Sequence, residues 1–248
     1  CVRRKELPWL VKEEIEKTSY GKYYKQIQQA DQWLKDHEAS NVWIDSDDGL
    51  RLHGFWVPAQ KPKGTVLFAH GYRSTYLVDF SLAMDYYHNM GMNLLIPDQR
   101  AHGKSEGKYI GFGCLDRHDA RLWIDFMVER LGEDCKILLH GDSMGGATVL
   151  MTTGLELPPQ VKAAISDCAF TSAWEVFSAV LKNMYHLPPF PLLQISNVMV
   201  KKRAGYELDE CNAREEVKKA KVPILFLHGD ADTFVPCSMV HELYGACA

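Results

Sequence analysis

The sequence predicts an α/β fold, a mostly parallel sheet flanked by helices, and three observations carry that reading. Short continuous apolar runs recur at Thr65 to Ala69, Leu94 to Ile96, Ile137 to Leu139 and Ile224 to Leu227, as in strands buried on both faces of a parallel sheet. Helix-patterned segments separate them, such as residues 114 to 131, where Leu115, Leu122, Trp123, Phe126 and Met127 form one stripe. The runs end in loops bearing glycine or aspartate, at the sheet edge where ligands bind in this architecture.

Taken in order, residues 9 to 36 place Tyr23, Tyr24, Ile27, Ala30, Trp33 and Leu34 at helical spacing, a helical extension over residues 1–40 packed across the domain. Asn41 to Ile44 and Leu50 to Val57 read as a hairpin around the turn Asp45-Ser46-Asp47-Asp48-Gly49. Leu52, Gly54 and Trp56 share one face of its second strand; His53, Phe55 and Val57 share the other. A strand at 65–69, a helix at 75–90, a strand at 91–98 and the helix at 114–131 then alternate, which implies right-handed parallel crossovers. Val161 to Asp167 is a further strand, residues 171–210 break the rhythm, and a last helix is expected from Ser238 to Cys247.

Composition narrows the partners. The chain has 248 residues, enough for one α/β domain with an insertion, and carries 28 basic against 32 acidic residues with no basic run, which argues against nucleic acid. No apolar stretch approaches the roughly 20 residues that cross a bilayer, and the amino end has no signal-peptide core. Cys1 is compatible with a lipid-bearing cysteine exposed by processing of an upstream segment, but the cleavage signal itself is not visible, and a soluble protein is expected. Seven cysteines without C-x-x-C pairs fit scattered thiols and a cytoplasmic location. The histidines show no metal-ligand spacing, so neither metal nor cofactor is expected.

Chemistry concentrates at Gly141-Asp142-Ser143-Met144-Gly145-Gly146, between an apolar run and helix-suited residues. A serine hydroxyl needs exposure, a base and a pocket for an oxyanion, and flanking glycines permit the strained turn that supplies exposure. The segment resembles the nucleophile elbow of the α/β-hydrolase superfamily. His70-Gly71-Tyr72, the D-x-R-x-x-G-x-S loop from Asp98 to Ser105, and His228-Gly229-Asp230-Ala231-Asp232-Thr233-Phe234-Val235-Pro236 resemble that family's oxyanion loop, bracing loop and acid loop.

The resemblance implies a serine hydrolase fold with residues 41–170 and 211–248 as its core and 171–210 as a helical cap. It implies Ser143 as nucleophile, Asp232 as catalytic acid ahead of Asp167, and the backbone N–H groups of Tyr72 and Met144 as the oxyanion hole. His70, Asp98, Arg100 and His102 are expected to be structural. The family's histidine should follow the acid by roughly 20 residues or more, allowing for a helix, a strand and loops. Only 16 residues follow Asp232, and His241 falls inside the expected last helix. The sequence is therefore expected to stop short of its base, to be inactive as written, and to expose a sheet edge.

The substrate class implied is a carboxylic ester with an apolar acyl or alcohol part, with thioester or aminopeptidase-like chemistry as alternatives. A non-catalytic binding protein on the same fold is the rival of another class. Dinucleotide binding fails because Gly141 to Gly146 lacks the G-x-G-x-x-G spacing. Oligomeric state is not legible.

Overall fold

The hairpin and the strands after it obey different packing rules, and one sheet joins them. The computed structural model describes residues 2–5, 11–18 and 20–247; Cys1, considered above for a lipid, lies outside them. Helix α1 (Lys12–Ile15), a 3-10 turn and α2 (Tyr24–Asp36) precede β1 (Ser40–Asp45) and β2 (Arg51–Val57). Then come β3 (Gly64–Ala69), α3 (Tyr76–Asp79), α4 (Ser81–Asn89), β4 (Met92–Pro97), α5 (Asp116–Leu131), β5 (Ile137–Asp142) and α6 (Met144–Thr153). The chain continues through β6 (Val161–Asp167), α7 (Ala173–Asn183), α8 (Leu192–Ala204), α9 (Ala213–Glu216), a second 3-10 turn, β7 (Ile224–Leu227) and α10 (Ser238–Ala246).

Among the described residues, seven strands form one sheet in the order β1-β2-β4-β3-β5-β6-β7. The β1–β2 and β2–β4 pairs are antiparallel and the other four parallel. The hairpin turn is built from Ser46, whose hydroxyl donates to Asp48 at 2.6 Å and accepts from the Leu50 N–H at 2.8 Å, with Gly49 at φ 81°. The expected alternation of β2 holds, but both faces are covered. Leu52 and Trp56 join the cluster of Trp123, Ile124 and Met127 under α5; Val57 joins Val66, Phe68, Leu94 and Ile96 on the other face.

That second face is closed by the amino-terminal extension. Ile15, Ile27, Ala30 and Leu34 are buried there, together with Leu77, Phe80 and Met84 from α3 and α4. Tyr23, placed on the expected stripe, is instead exposed, since it closes the 3-10 turn before α2 begins. The single helix expected at 75–90 is two, broken at Phe80, whose ring packs tilted against Phe68 with centroids 4.4 Å apart. On α5 the inward stripe includes Ile124, while Leu122 and Phe126 are only half-buried. β7 is the sheet's last strand, and its Leu225 and Leu227 are 52% and 41% exposed.

Candidate active site

Ser143 sits between the end of β5 and the start of α6 at φ 53°, ψ −114°, a conformation that costs a non-glycine residue of order 1–3 kcal/mol. Its N–H donates to the Asp167 carbonyl at 2.8 Å, and its carbonyl accepts from the Ala147 N–H at 3.0 Å. The glycines are there because nothing larger fits. A Cβ on Gly145 would lie 1.7 Å from the Ala69 carbonyl oxygen, one on Gly141 2.1 Å from that of Gly145, and one on Gly146 2.8 Å from that of Asp167. The elbow is pressed between β3, β5 and β6, and the serine side chain stands half-exposed at the sheet edge.

The loop after β3 lies against it. A Cβ on Gly71 would be 3.4 Å from Ser143 Cβ. Gly71 N–H and the Ser74 hydroxyl donate to the two Asp79 oxygens at 2.7 and 2.6 Å, which anchors the loop to α3. His70 is buried, with Nδ1 donating to the Gly71 carbonyl at 2.9 Å and Nε2 accepting from Gln99 N–H at 3.1 Å. Tyr72 follows, its ring 5.2 Å from that of Phe112 and its hydroxyl pKa raised by burial. Met144 opens α6, where the first N–H groups have no acceptor within the helix.

Strand register brings the acid loop to the same edge. Asp142 is level with Asp167 and Asp167 with Leu227, so the loop after β7 emerges two strands from Ser143. Asp232 is half-buried there, one oxygen accepting from Phe234 and Val235 N–H at 2.8 and 3.0 Å. Its other oxygen lies 3.7 Å from His228 Nε2. His228 is buried, its Nε2 donating to the Val235 carbonyl at 2.9 Å while Nδ1 has no partner. Asp167 accepts instead from the Cys168 thiol at 3.1 Å. Cys168, His228 and Asp232 bring a sulfur, a ring nitrogen and a carboxylate oxygen within 4.8 Å of one another. Among the described residues they are the one such group, drawn from separate segments that ligand spacing along the chain does not reveal.

The bracing loop shows a dense set of partners. Arg100 donates to both Asp119 oxygens at 2.6 and 2.7 Å and to both of Asp48 at 3.0 and 3.2 Å. Asp98 meets His53 Nδ1 at 2.7 Å and accepts from Lys104 N–H at 2.9 Å. His102 accepts from Arg73 N–H at 3.1 Å and donates to the Arg100 carbonyl at 3.0 Å; burial, then neighbouring His70, lowers its pKa to about 3. It is a neutral ring that holds the loop after β3 through the Arg73 amide.

Sequence reasoning missed a group of buried carboxylates. Burial first, then the charges of Asp79, Asp167 and Asp232, pushes Asp142 up to about 8. Burial also raises Asp79, against the hydrogen bonds from Ser74 and Gly71. Tyr20 of the extension is raised by burial and then by both carboxylates. Asp142 lies within the motif itself, where an acidic side chain beside the serine was a visible signal; nothing in the position of Asp79 announced it.

Over this edge stand α7 and α8. An isolated bridge between Ser172 and Asn212 makes their excursion leave and return at one point, and Ser172 caps α7 by accepting from Glu175 N–H at 3.1 Å. Phe177 reaches down to Phe112 with ring centroids 4.9 Å apart, and Tyr185 is near enough to perturb the Tyr72 hydroxyl.

Residues 60–205 match the family model described as Hydrolase_4, serine aminopeptidase S33. The chain belongs to this α/β-hydrolase family. The uncharacterized protein YqkD of Bacillus subtilis is 30% identical over 201 residues, covering 81% of this chain and 66% of its own. Protein bem46 of Schizosaccharomyces pombe is 26% identical over 192 residues, 77% of this chain and 58% of its own. This α/β-hydrolase thus spans about two thirds of the curated relatives it matches. Among solved structures, the Pyrococcus furiosus esterase Pf2001 superposes with a TM-score of 0.68 at 24% identity over 86% of this chain and 79% of its own. Acetyl xylan esterase 1 from Thermoanaerobacterium superposes with 0.61 at 17% over 91% and 84%. At these identities the likeness establishes the hydrolase fold.

All ten histidines of the hydrolase are described, and no hydrogen bond joins any of them to Ser143. His228 alone pairs with Asp232, and its buried ring is turned to the Val235 carbonyl. His241 is exposed on α10, with no hydrogen bond to Asp232.

Proposed function

We propose that the protein is a serine hydrolase that cleaves carboxylic esters through an acyl-enzyme. The observation that carries this reading is the Ser143 elbow, a strained serine kept half-exposed by glycines that admit no Cβ. In the proposed reaction Ser143 Oγ attacks the ester carbonyl as its proton passes to an imidazole, and the oxyanion is held by Tyr72 and Met144 N–H. The alcohol leaves with that proton, and water then releases the acid. Asp232 orients the imidazole and stabilises its cation. The imidazole is the one the family resemblance places after Asp232; none of the ten histidines here has that position. The 248-residue polypeptide is therefore expected to turn over little or no ester.

Phe112, Phe177 and Tyr185 beside Tyr72 support a substrate with an apolar part, and we place residues 171–210 as its cap. The scattered thiols support a cytoplasmic location. A second reading, release of an amino-terminal residue, draws on Asp142 and Asp79 next to the elbow, carboxyls raised by burial that a bound ammonium would bring back toward the ionised form. Hydrolysis of p-nitrophenyl esters and of aminoacyl anilides by the longest polypeptide its gene encodes separates the two. Ester turnover lost in Ser143→Ala supports the proposal; turnover of anilides alone favours the second reading; no turnover of either favours a binding protein.

A further inference from the structure

His228, the residue after β7, has no part in the proposed reaction, and one of its ring nitrogens is unused. Its side chain is only 1% exposed. Nε2 lies 2.9 Å from the Val235 carbonyl, which can only accept, so Nε2 carries the proton and Nδ1 of the neutral ring presents a lone pair. Nδ1 is shut off from solvent without a hydrogen-bond partner, an unfavourable state for a buried polar atom. A ring that fixes one N–H on a backbone carbonyl and offers its other nitrogen is the usual arrangement of a histidine that ligates a metal.

Two further donors stand beside it. Cys168 Sγ, an Asp232 oxygen and a His228 ring nitrogen lie within 4.8 Å of one another. Sheet register sets the first and last side by side, since Cys168 follows β6 and its N–H donates to the Leu227 carbonyl at 2.9 Å. Asp232 commits one oxygen to the Phe234 and Val235 amides and turns the other toward His228 at 3.7 Å. The bond lengths of tetrahedral zinc put its ligand atoms about 3.3 to 3.6 Å apart, so the group has to close by about 1 Å, a movement that rotation of the Cys168 thiol can supply. The local field favours a cation. Burial, then the charges of Asp167 and Asp142, pushes the Cys168 thiol up to about 12, against a hydrogen bond from the Gly229 backbone. Asp142 in turn is raised by burial and by Asp79, Asp167 and Asp232.

We propose that Cys168, His228 and Asp232 bind a zinc ion, with water as the fourth ligand and the thiol proton released to solvent. The donor set selects the metal: sulfur with imidazole and one carboxylate suits zinc, whereas magnesium and calcium take oxygen ligands. The ion would occupy the Asp232 oxygen that the proposed reaction needs for its imidazole, so zinc should restrain turnover. That consequence rests on the role proposed for Asp232; the binding itself does not.

Cobalt titration of the reduced 248-residue chain tests the site without any reference to hydrolysis. The expected result is a thiolate-to-cobalt absorption band with the visible bands of tetrahedral cobalt, bleached by zinc and untouched by magnesium. Cys168→Ser should abolish the thiolate band, while Cys237→Ser, at the cysteine preceding α10, should leave it. Asp232→Asn keeps an acceptor for both loop amides and should weaken zinc roughly tenfold or more, with thermal melting of the metal-free chain unchanged. A band that survives Cys168→Ser, a reduced chain that shows no band, or zinc affinity unaltered in Asp232→Asn overturns the proposal. So does magnesium displacing cobalt as well as zinc does.

Discussion

The elbow and the acid loop lie at one sheet edge but are fixed by opposite means. Ser143 is held by packing: three neighbouring glycines face backbone at distances no side chain tolerates, and its own amide is tied to β6. Asp232 is held by two amides from its own loop, on the strand that ends the sheet and exposes Leu225 and Leu227. The contrast teaches that the position of Ser143 belongs to the fold, while that of Asp232 belongs to a local turn. Substitutions should therefore be costly for stability at the first and mild at the second.

The largest expected effect is Gly145→Ala, which forces a methyl into the Ala69 carbonyl and should cost about 4 kcal/mol or more, read as loss of the cooperative thermal transition. Asp142→Asn tests the electrostatics of the same region. The folded pKa of Asp142 is raised from 3.8 to about 8, so between those values the folded chain keeps a proton that the unfolded chain releases. Stability is then lost as pH rises through that window. The amide should stabilise the protein by about 4 kcal/mol near neutral pH, a gain that denaturant titration should find vanishing near the unfolded carboxylate pKa.

Effects at the acid loop should be smaller. Asp232→Ala removes the acceptor of the exposed Phe234 amide and of the buried Val235 amide and should cost about 1 kcal/mol of stability by chemical denaturation. The same substitution should lower ester turnover by the longest gene product on the order of a thousandfold. Leu225→Thr, at an exposed position of β7, should shift stability by no more than about 0.5 kcal/mol. A large loss there would erase the contrast, since it would mean that the edge strand is packed as tightly as the elbow.

What the sequence made legible follows the same division. Runs such as Thr65 to Ala69 and the glycines around Ser143 declare themselves because burial on both faces and a missing Cβ leave few alternatives. The order of strands and the elbow turn were readable for that reason. The break at Phe80 was not, because helical spacing continues through it while tertiary packing of one ring against Phe68 interrupts the backbone. Asp142 stands in the motif itself, but its proximity to Asp79 could not be read, nor could the grouping of Cys168 with His228, since residues distant in sequence meet only in the fold.

The account turns on Ser143 being an addressable nucleophile at that edge. Fluorophosphonate treatment of the longest gene product, followed by peptide mass spectrometry, measures this. The expected result is one adduct on the peptide containing Ser143, absent in Ser143→Ala and strongly reduced in Asp232→Ala. An adduct on a different residue, or ester turnover that persists in Ser143→Ala, would contradict it.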